Sequence, residues 1–184
     1  IAFGVVFWVA LRLSMAASKA AAEIACLQAA RSRGLDVVVA RAFQHEGPGR
    51  DERFAIGSWT RQIAELELRD GGELKVGDLS SERDISDVRD VCRAYGLLLD
   101  QGVPAGTYNI ASGEKTSLSA IVDLLVEKAR CPIEIVPDPA RLRPGEIPVV
   151  WGDASKLRAA TGWMPEIPLR QTLADALDYA REVV

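Results

Sequence analysis

The chain is poor in sulfur and nearly without imidazole. It has three widely spaced cysteines, Cys26, Cys92 and Cys131, no CxxC pair, and a single histidine, His45. An odd, scattered set of thiols excludes a disulfide framework, and one histidine leaves a Cys/His zinc site with too few ligands. Buried, reduced thiols in a cytoplasmic protein are the expectation, with no metal. No excess of positive charge exists either: the formal net charge is −4, so no basic field would draw in nucleic acid. A GxSxG nucleophile motif is missing, which leaves serine hydrolysis through His45 unsupported. Also missing is a glycine-rich dinucleotide loop, since Gly4 alone cannot cradle a pyrophosphate.

Long apolar runs are scarce. The run Ile1 to Leu13 is too short to span a bilayer and lacks the basic flank of a signal peptide, so no membrane partner is expected. Its β-branched and aromatic residues, Val5-Val-Phe-Trp-Val9, suit a strand buried in the fold or covered by a partner.

What is present is an alternation of helical and strand patterns. Ala16 to Arg33 is alanine-rich, places Ile24 and Leu27 on one face, and stops at Gly34, so it predicts a helix. Asp36 to Ala40 reads as a buried parallel strand, with the Gly47-Pro48-Gly49 loop just past it, where open α/β sheets bind ligands. Phe54 to Arg69 is amphipathic through Ile56, Trp59, Ile63 and Leu66. Glu73 to Val76 alternates like a strand. Asp87 caps a helix from Val88 to about Asp100, Gly106 to Ile110 is a strand, and Ser117 opens a helix to about Ala129. Ile133 to Val136 is a further strand, followed by a proline-rich loop to Pro148. Asp153 caps a short helix through Leu157, and Pro168 starts a last helix striped by Leu169, Leu173, Ala176, Leu177 and Ala180. Trp59, Trp151 and Trp163 read as core or loop-packing residues. The pattern is that of an α/β protein, with residues 1–14 as an atypical apolar leader and 15–184 as one compact unit.

Two runs carry chemistry: Arg41-Ala-Phe-Gln-His-Glu-Gly-Pro-Gly49 and Arg141-Leu-Arg-Pro-Gly-Glu146. Their arginine forks suit bidentate phosphate contact, and a carboxylate such as Glu146 can accept from ribose hydroxyls or a base edge. Five segments, Ala17 to Glu23, Arg41 to Arg50, Val76 to Asp90, Tyr108 to Gly113 and Arg143 to Lys156, with the closing Thr161-Gly-Trp-Met-Pro165, resemble the extended short-chain dehydrogenase/reductases that act on nucleotide sugars. The nearest branch is that of GDP-mannose 4,6-dehydratase and GDP-4-keto-6-deoxy-mannose reductase. The resemblance implies the C-terminal part of a Rossmann-type extended fold, with few parallel strands, a small α/β substrate-binding region and the dinucleotide-binding sheet missing.

The same resemblance assigns residues. Lys19 stands in the place of the catalytic lysine of the family's Tyr-x-x-x-Lys pair, but the tyrosine place holds Met15, whose thioether cannot pass a proton. Gln44 stands where the family has a substrate-contacting asparagine, Arg83 matches a phosphate-reaching arginine, and Arg143 and Glu146 match the pair that holds the nucleotide. Ser58 stands where the family has a lysine. These matches lead us to expect a truncated homologue that retains weak GDP-sugar binding without NADP, NAD or redox activity. The rival expectation is a self-associating module, a dimer covering Ile1 to Leu13 or a complex with a partner chain. Ester hydrolysis through Ser14 or Ser18 beside Lys19 ranks last, because the spacing is not Ser-x-x-Lys.

Overall fold

The computed structural model describes residues 14–142, 145 and 147–184, with only the backbone of residues 14–16. The strand expected within Ile1 to Leu13 and the assignments of Arg143 and Glu146 therefore lie outside the described residues.

The chain opens with α1 (Ser14–Arg33), followed by β1 (Val38–Ala42) and β2 (Gln44–Glu46). Then come α2 (Ala55–Glu67), β3 (Gly72–Val76), β4 (Glu82–Arg83), β5 (Ile85–Asp87) and α3 (Val88–Asp100). The second half holds β6 (Gly106–Ile110), β7 (Thr116–Ser117), α4 (Leu118–Val126), β8 (Ile133–Pro137), a 3-10 turn at Pro139–Arg141, β9 (Val149–Val150), α5 (Ser155–Thr161) and α6 (Leu169–Val183). Four strand pairs are parallel and join distant segments: β1 with β6, β2 with β5, β3 with β8, and β4 with β9. A three-stranded sheet orders β7, β4 and β9, with β4 and β7 antiparallel. Parallel pairs of sequence-distant strands with intervening helices confirm the α/β reading.

Local signals set most boundaries. Asp87 accepts from the Arg89 amide and Ser117 from the Ala120 amide, so both act as the N-caps that their positions predict. The short helix α5 departs from expectation. The Asp153 carboxylate accepts from the Ser155 amide at 2.8 Å, yet the helix continues to Thr161, where Gly162 closes it in the left-handed conformation. The strand expected over Asp36 to Ala40 is displaced to Val38–Ala42, and β2 follows it before the glycine loop.

The core lies in two clusters. One packs α2, β3, α4 and α6 through Ile56, Ile63, Leu74, Ile121, Leu125 and Leu177. The other packs α3, β6 and α5 around Tyr108, Ile110, Leu157 and Trp163. Each such buried side chain contributes about 1.5–3 kcal/mol relative to exposure. Between the clusters, the buried acids Asp84, Asp87 and Asp90 fix neighbouring segments. Thr172 Oγ1 of α6 donates to Asp87 at 2.8 Å, and the Glu166 and Ile167 amides donate to Asp90, each at 2.9 Å.

Three expectations about side chains fail. Cys26 and Cys92 are exposed and Cys131 is half-buried, all three free. Cys92 faces out because Val91, Ala94 and Leu98 form the buried stripe of α3. Trp151 is 53% exposed, with Lys115 over its ring, while Trp59 and Trp163 are buried. In α1, Ile24 is 69% exposed although Leu27 is half-buried, so the pair does not form one packed face. No described helix is long and apolar enough to cross a membrane.

Candidate functional site

After β2 the chain turns through Gly47-Pro48-Gly49, with Gly49 at φ 81° and the Arg50 amide donating to the Gly47 carbonyl. The next residues press against the first turn of α2. Gly57 makes this possible: a Cβ there would lie 2.5 Å from the Asp51 carbonyl oxygen. The close approach carries Arg50, Arg53 and Phe54 to the edge of a cavity of about 530 Å³. Its remaining walls include Gln44, Ser58 and Trp59, Gly77 and Asp78 after β3, Arg83 of β4, and Arg141.

Four arginines line this cavity, Arg50, Arg53, Arg83 and Arg141, against two acids, Glu52 and Asp78. The N-terminus of α2 adds to the positive character, because Phe54 at its N-cap offers no side-chain acceptor to the first amides. Arg50 is clamped. Its guanidinium stacks over the Phe54 ring at 3.6 Å, and its Nε lies 3.4 Å from Glu46 Oε2. Glu46 is fully buried, and burial raises its carboxyl pKa against the opposing pull of Arg50 and Gln44. Gln44 Nε2 donates to Glu46 Oε1 at 3.3 Å. Arg53 is held by Asp51 at 2.8 and 2.9 Å, and its hydrogen bonds bring the Asp51 pKa to about 2. Arg83 Nη1 donates to the Glu82 and Pro148 carbonyls. Such a lining suits an anionic ligand with several acceptor oxygens.

Of the residues singled out by sequence, Gln44, Ser58 and Arg83 meet at this cavity. Lys19 does not join them; it is exposed on α1, with Met15 one helical turn before it. Arg41 is also elsewhere, its guanidinium paired with Glu23 of α1 at 2.6 and 2.8 Å. The same Glu23 accepts from Thr107 at 3.0 Å, which ties α1 to β1 and β6. His45 Nδ1 donates to the Phe43 carbonyl at 3.0 Å, a local contact within the strand region. Arg50, Arg53 and Arg141 gained no individual role from sequence. Arg141 entered only as the first residue of the Arg141 to Glu146 run, and Arg50 and Arg53 only as charge following Gly-Pro-Gly at a helix start.

A second cavity of about 280 Å³ lies between Gly47, Gly49 and α6, with Ala176, Tyr179 and Ala180 among its walls. It shares Arg50 with the larger cavity but contains neither Gln44 nor Arg83. Among the described residues, no cluster of His, Cys, Asp or Glu could hold a metal ion.

Comparison with known proteins adds to this geometry. A family model described as GDP-mannose 4,6 dehydratase matches residues 12–176. The chain is 43% identical over 159 residues to a GDP-6-deoxy-D-mannose reductase of Pseudomonas aeruginosa, covering 86% of this chain and 52% of the relative. It is 29% identical over 162 residues to a GDP-mannose 4,6-dehydratase of Sinorhizobium fredii, covering 76% of this chain and 46% of that protein. A solved structure of RMD from Pseudomonas aeruginosa, complexed with NADPH, superposes with a TM-score of 0.84 at 40% identity, over 92% of this chain and 56% of that one. A Thermotoga maritima UDP-glucose 4-epimerase with UDP-glucose gives a TM-score of 0.76 at 26% identity, over 88% of this chain and 51% of its own. The chain thus spans about half the length of the relatives it matches.

Proposed function

We propose that the arginine-lined cavity of this chain, which belongs to the GDP-mannose 4,6-dehydratase family, binds a nucleoside diphosphate sugar of the GDP-mannose type. The observation that carries the proposal is the convergence of Arg50, Arg53, Arg83 and Arg141 on one cavity beside the uncapped start of α2. A diphosphate offers only acceptors and carries negative charge, so it complements donors of this kind. Gln44, with both a donor and an acceptor on its amide, is the residue there suited to a sugar hydroxyl.

We further infer that this chain by itself neither holds NADP or NAD nor transfers hydride. Among its described residues, only Lys19 belongs to the resemblance on the cofactor side. It stands exposed on α1, and position 15 supplies a thioether where proton transfer needs a phenol. No glycine-rich dinucleotide loop occurs in the sequence. The residues present do not fit the cofactor.

Calorimetric titration of the purified chain with GDP-mannose, and separately with NADP, tests both statements. Heat with GDP-mannose alone is the expected result. No heat with GDP-mannose would sink the cavity assignment, and saturable heat with NADP would overturn the second inference.

One observation favours a second reading, self-association. Most of α1 is exposed, including Ile24 at 69%, and Leu35 beyond it is 51% exposed. A second copy covering this helix would remove that apolar surface from water. Sedimentation equilibrium decides the matter: a monomer at high protein concentration would rule the reading out.

A further inference from the structure

Arg141 reaches the cavity by a route that its place in the sequence does not suggest. The Asp138 amide donates to the Val76 carbonyl at 2.8 Å, which extends the β3–β8 pairing by one bond before the 3-10 turn begins. The turn is fixed from within, since Asp138 Oδ1 accepts from the Ala140 amide at 2.9 Å. The backbone of Arg141 then passes against Gly77 so closely that a Cβ there would sit 2.8 Å from the Arg141 carbonyl oxygen.

Its guanidinium is held at two points. Nε donates to Asp138 Oδ2 at 3.3 Å, and Nη1 donates across the cavity to Ser58 Oγ at 3.0 Å, a contact between residues 83 apart in sequence. Ser58 Oγ accepts a second bond from Gln62 Nε2 at 3.2 Å. Gln62 is itself fixed, its Oε1 accepting from the Lys75 amide at 3.0 Å. Both acceptor sites of the Ser58 hydroxyl are thereby filled, so only its proton is left to offer a ligand. Among the described residues, no bond takes up Arg141 Nη2. Ser58 and Arg141 therefore present donors and no acceptor at a single spot. A sugar hydroxyl or a base edge mixes donors with acceptors, whereas a phosphate offers acceptors alone.

We propose that Ser58 and Arg141 form one diphosphate-binding unit, in which the serine hydroxyl orients the guanidinium and donates its own proton to the same phosphate. This deepens the nucleotide-sugar reading of the cavity and rests on it.

Calorimetry with GDP-mannose and with GDP, on the wild-type chain and on Arg141→Ala, Arg141→Gln and Ser58→Ala, separates the two claims. Arg141→Ala and Arg141→Gln are each expected to weaken both ligands at least tenfold and to an equal degree, because the contact is to the part they share. Ser58→Ala is expected to weaken both by a smaller factor. Arg141 lies at the surface, with 38% of its side chain exposed, so these variants should fold, and circular dichroism checks that they do. If the wild type binds GDP-mannose and the Arg141 variants bind it within twofold of that affinity, this proposal is overturned while the cavity reading stands. A loss confined to GDP-mannose, with GDP unaffected, would place Arg141 on the sugar and also overturn it. Absence of wild-type binding to either ligand removes both claims together.

Discussion

Arg181 of α6 grips Glu67 at the end of α2 with two parallel hydrogen bonds, Nε to Oε2 at 2.8 Å and Nη2 to Oε1 at 2.6 Å. Both side chains are mostly buried, at 15% and 10% exposure. The pair also collects the segment after α4: the Arg130 amide donates to Glu67, and Arg181 donates to the Lys128 carbonyl. One ion pair thus joins three segments around the first core cluster. Arg181→Ala leaves Glu67 with a single amide donor and should destabilise the fold by about 2–3 kcal/mol, read from urea unfolding. Arg181→Lys should recover only part of that loss, because an ammonium cannot reproduce the fork. A full recovery would show that charge alone matters here.

Acid should expose opposite behaviour in two glutamates. The hydrogen bonds from Arg181 hold the Glu67 carboxyl below the ordinary value of 4.5. Its contribution is therefore complete above that value and is lost as pH falls through the lowered pKa. Burial raises the Glu46 carboxyl above 4.5, so its ionisation costs stability as pH rises through the raised pKa, and that cost disappears toward 4.5. Chemical denaturation across a pH series should show Glu67→Gln flattening the acid-side loss. Glu46→Gln should flatten a decline on the alkaline side of 4.5. The same slope in both variants as in the wild type would contradict the assignment.

Asp84 should be among the least replaceable residues of the cavity's surroundings. It is buried, its Oδ1 accepts from the Ser112 amide and hydroxyl at 2.8 and 2.7 Å, and its Oδ2 accepts from the Gly113 and Gly152 amides at 2.9 and 3.2 Å. Asp84→Asn turns one acceptor into a donor facing two amides. A destabilisation of about 3 kcal/mol is expected. Because Arg83 is its immediate neighbour, GDP-mannose affinity measured on the folded fraction should fall as well.

Gly57→Ala should damage the cavity without touching any charged group. The added Cβ meets the carbonyl oxygens of Asp51 and Arg50 at 2.5 and 2.7 Å, and both are backbone atoms that cannot rotate away. We expect a loss of about 1–3 kcal/mol in thermal or urea unfolding, together with weaker ligand binding as Arg50 shifts. Unchanged stability and affinity would show that the loop before α2 can move freely.

Much of the fold was legible because its signals are short-range. Asp87 and Ser117 stand at helix starts where a side-chain oxygen meets a nearby amide, a relationship contained within a few residues. The stripe Leu173, Ala176, Leu177, Ala180 identifies the inner face of α6 in the same way, since helical periodicity is local. Exposure was less legible. Cys26, Cys92 and Trp151 are residue types that usually bury, and only the packing of neighbouring elements turns them outward.

The sequence alone determined the α/β alternation and the family, and it singled out Gln44, Ser58 and Arg83, which line the cavity, because these depend on local pattern or on motif. Tertiary structure decided the rest of the cavity. The meeting of Ser58 with Arg141 across 83 residues follows from how α2, β3 and β8 pack. No local rule reaches that far. Hydrogen bonds and ion pairs are fixed by distances of a few ångströms in space, and those distances exist only once the distant segments have been brought together.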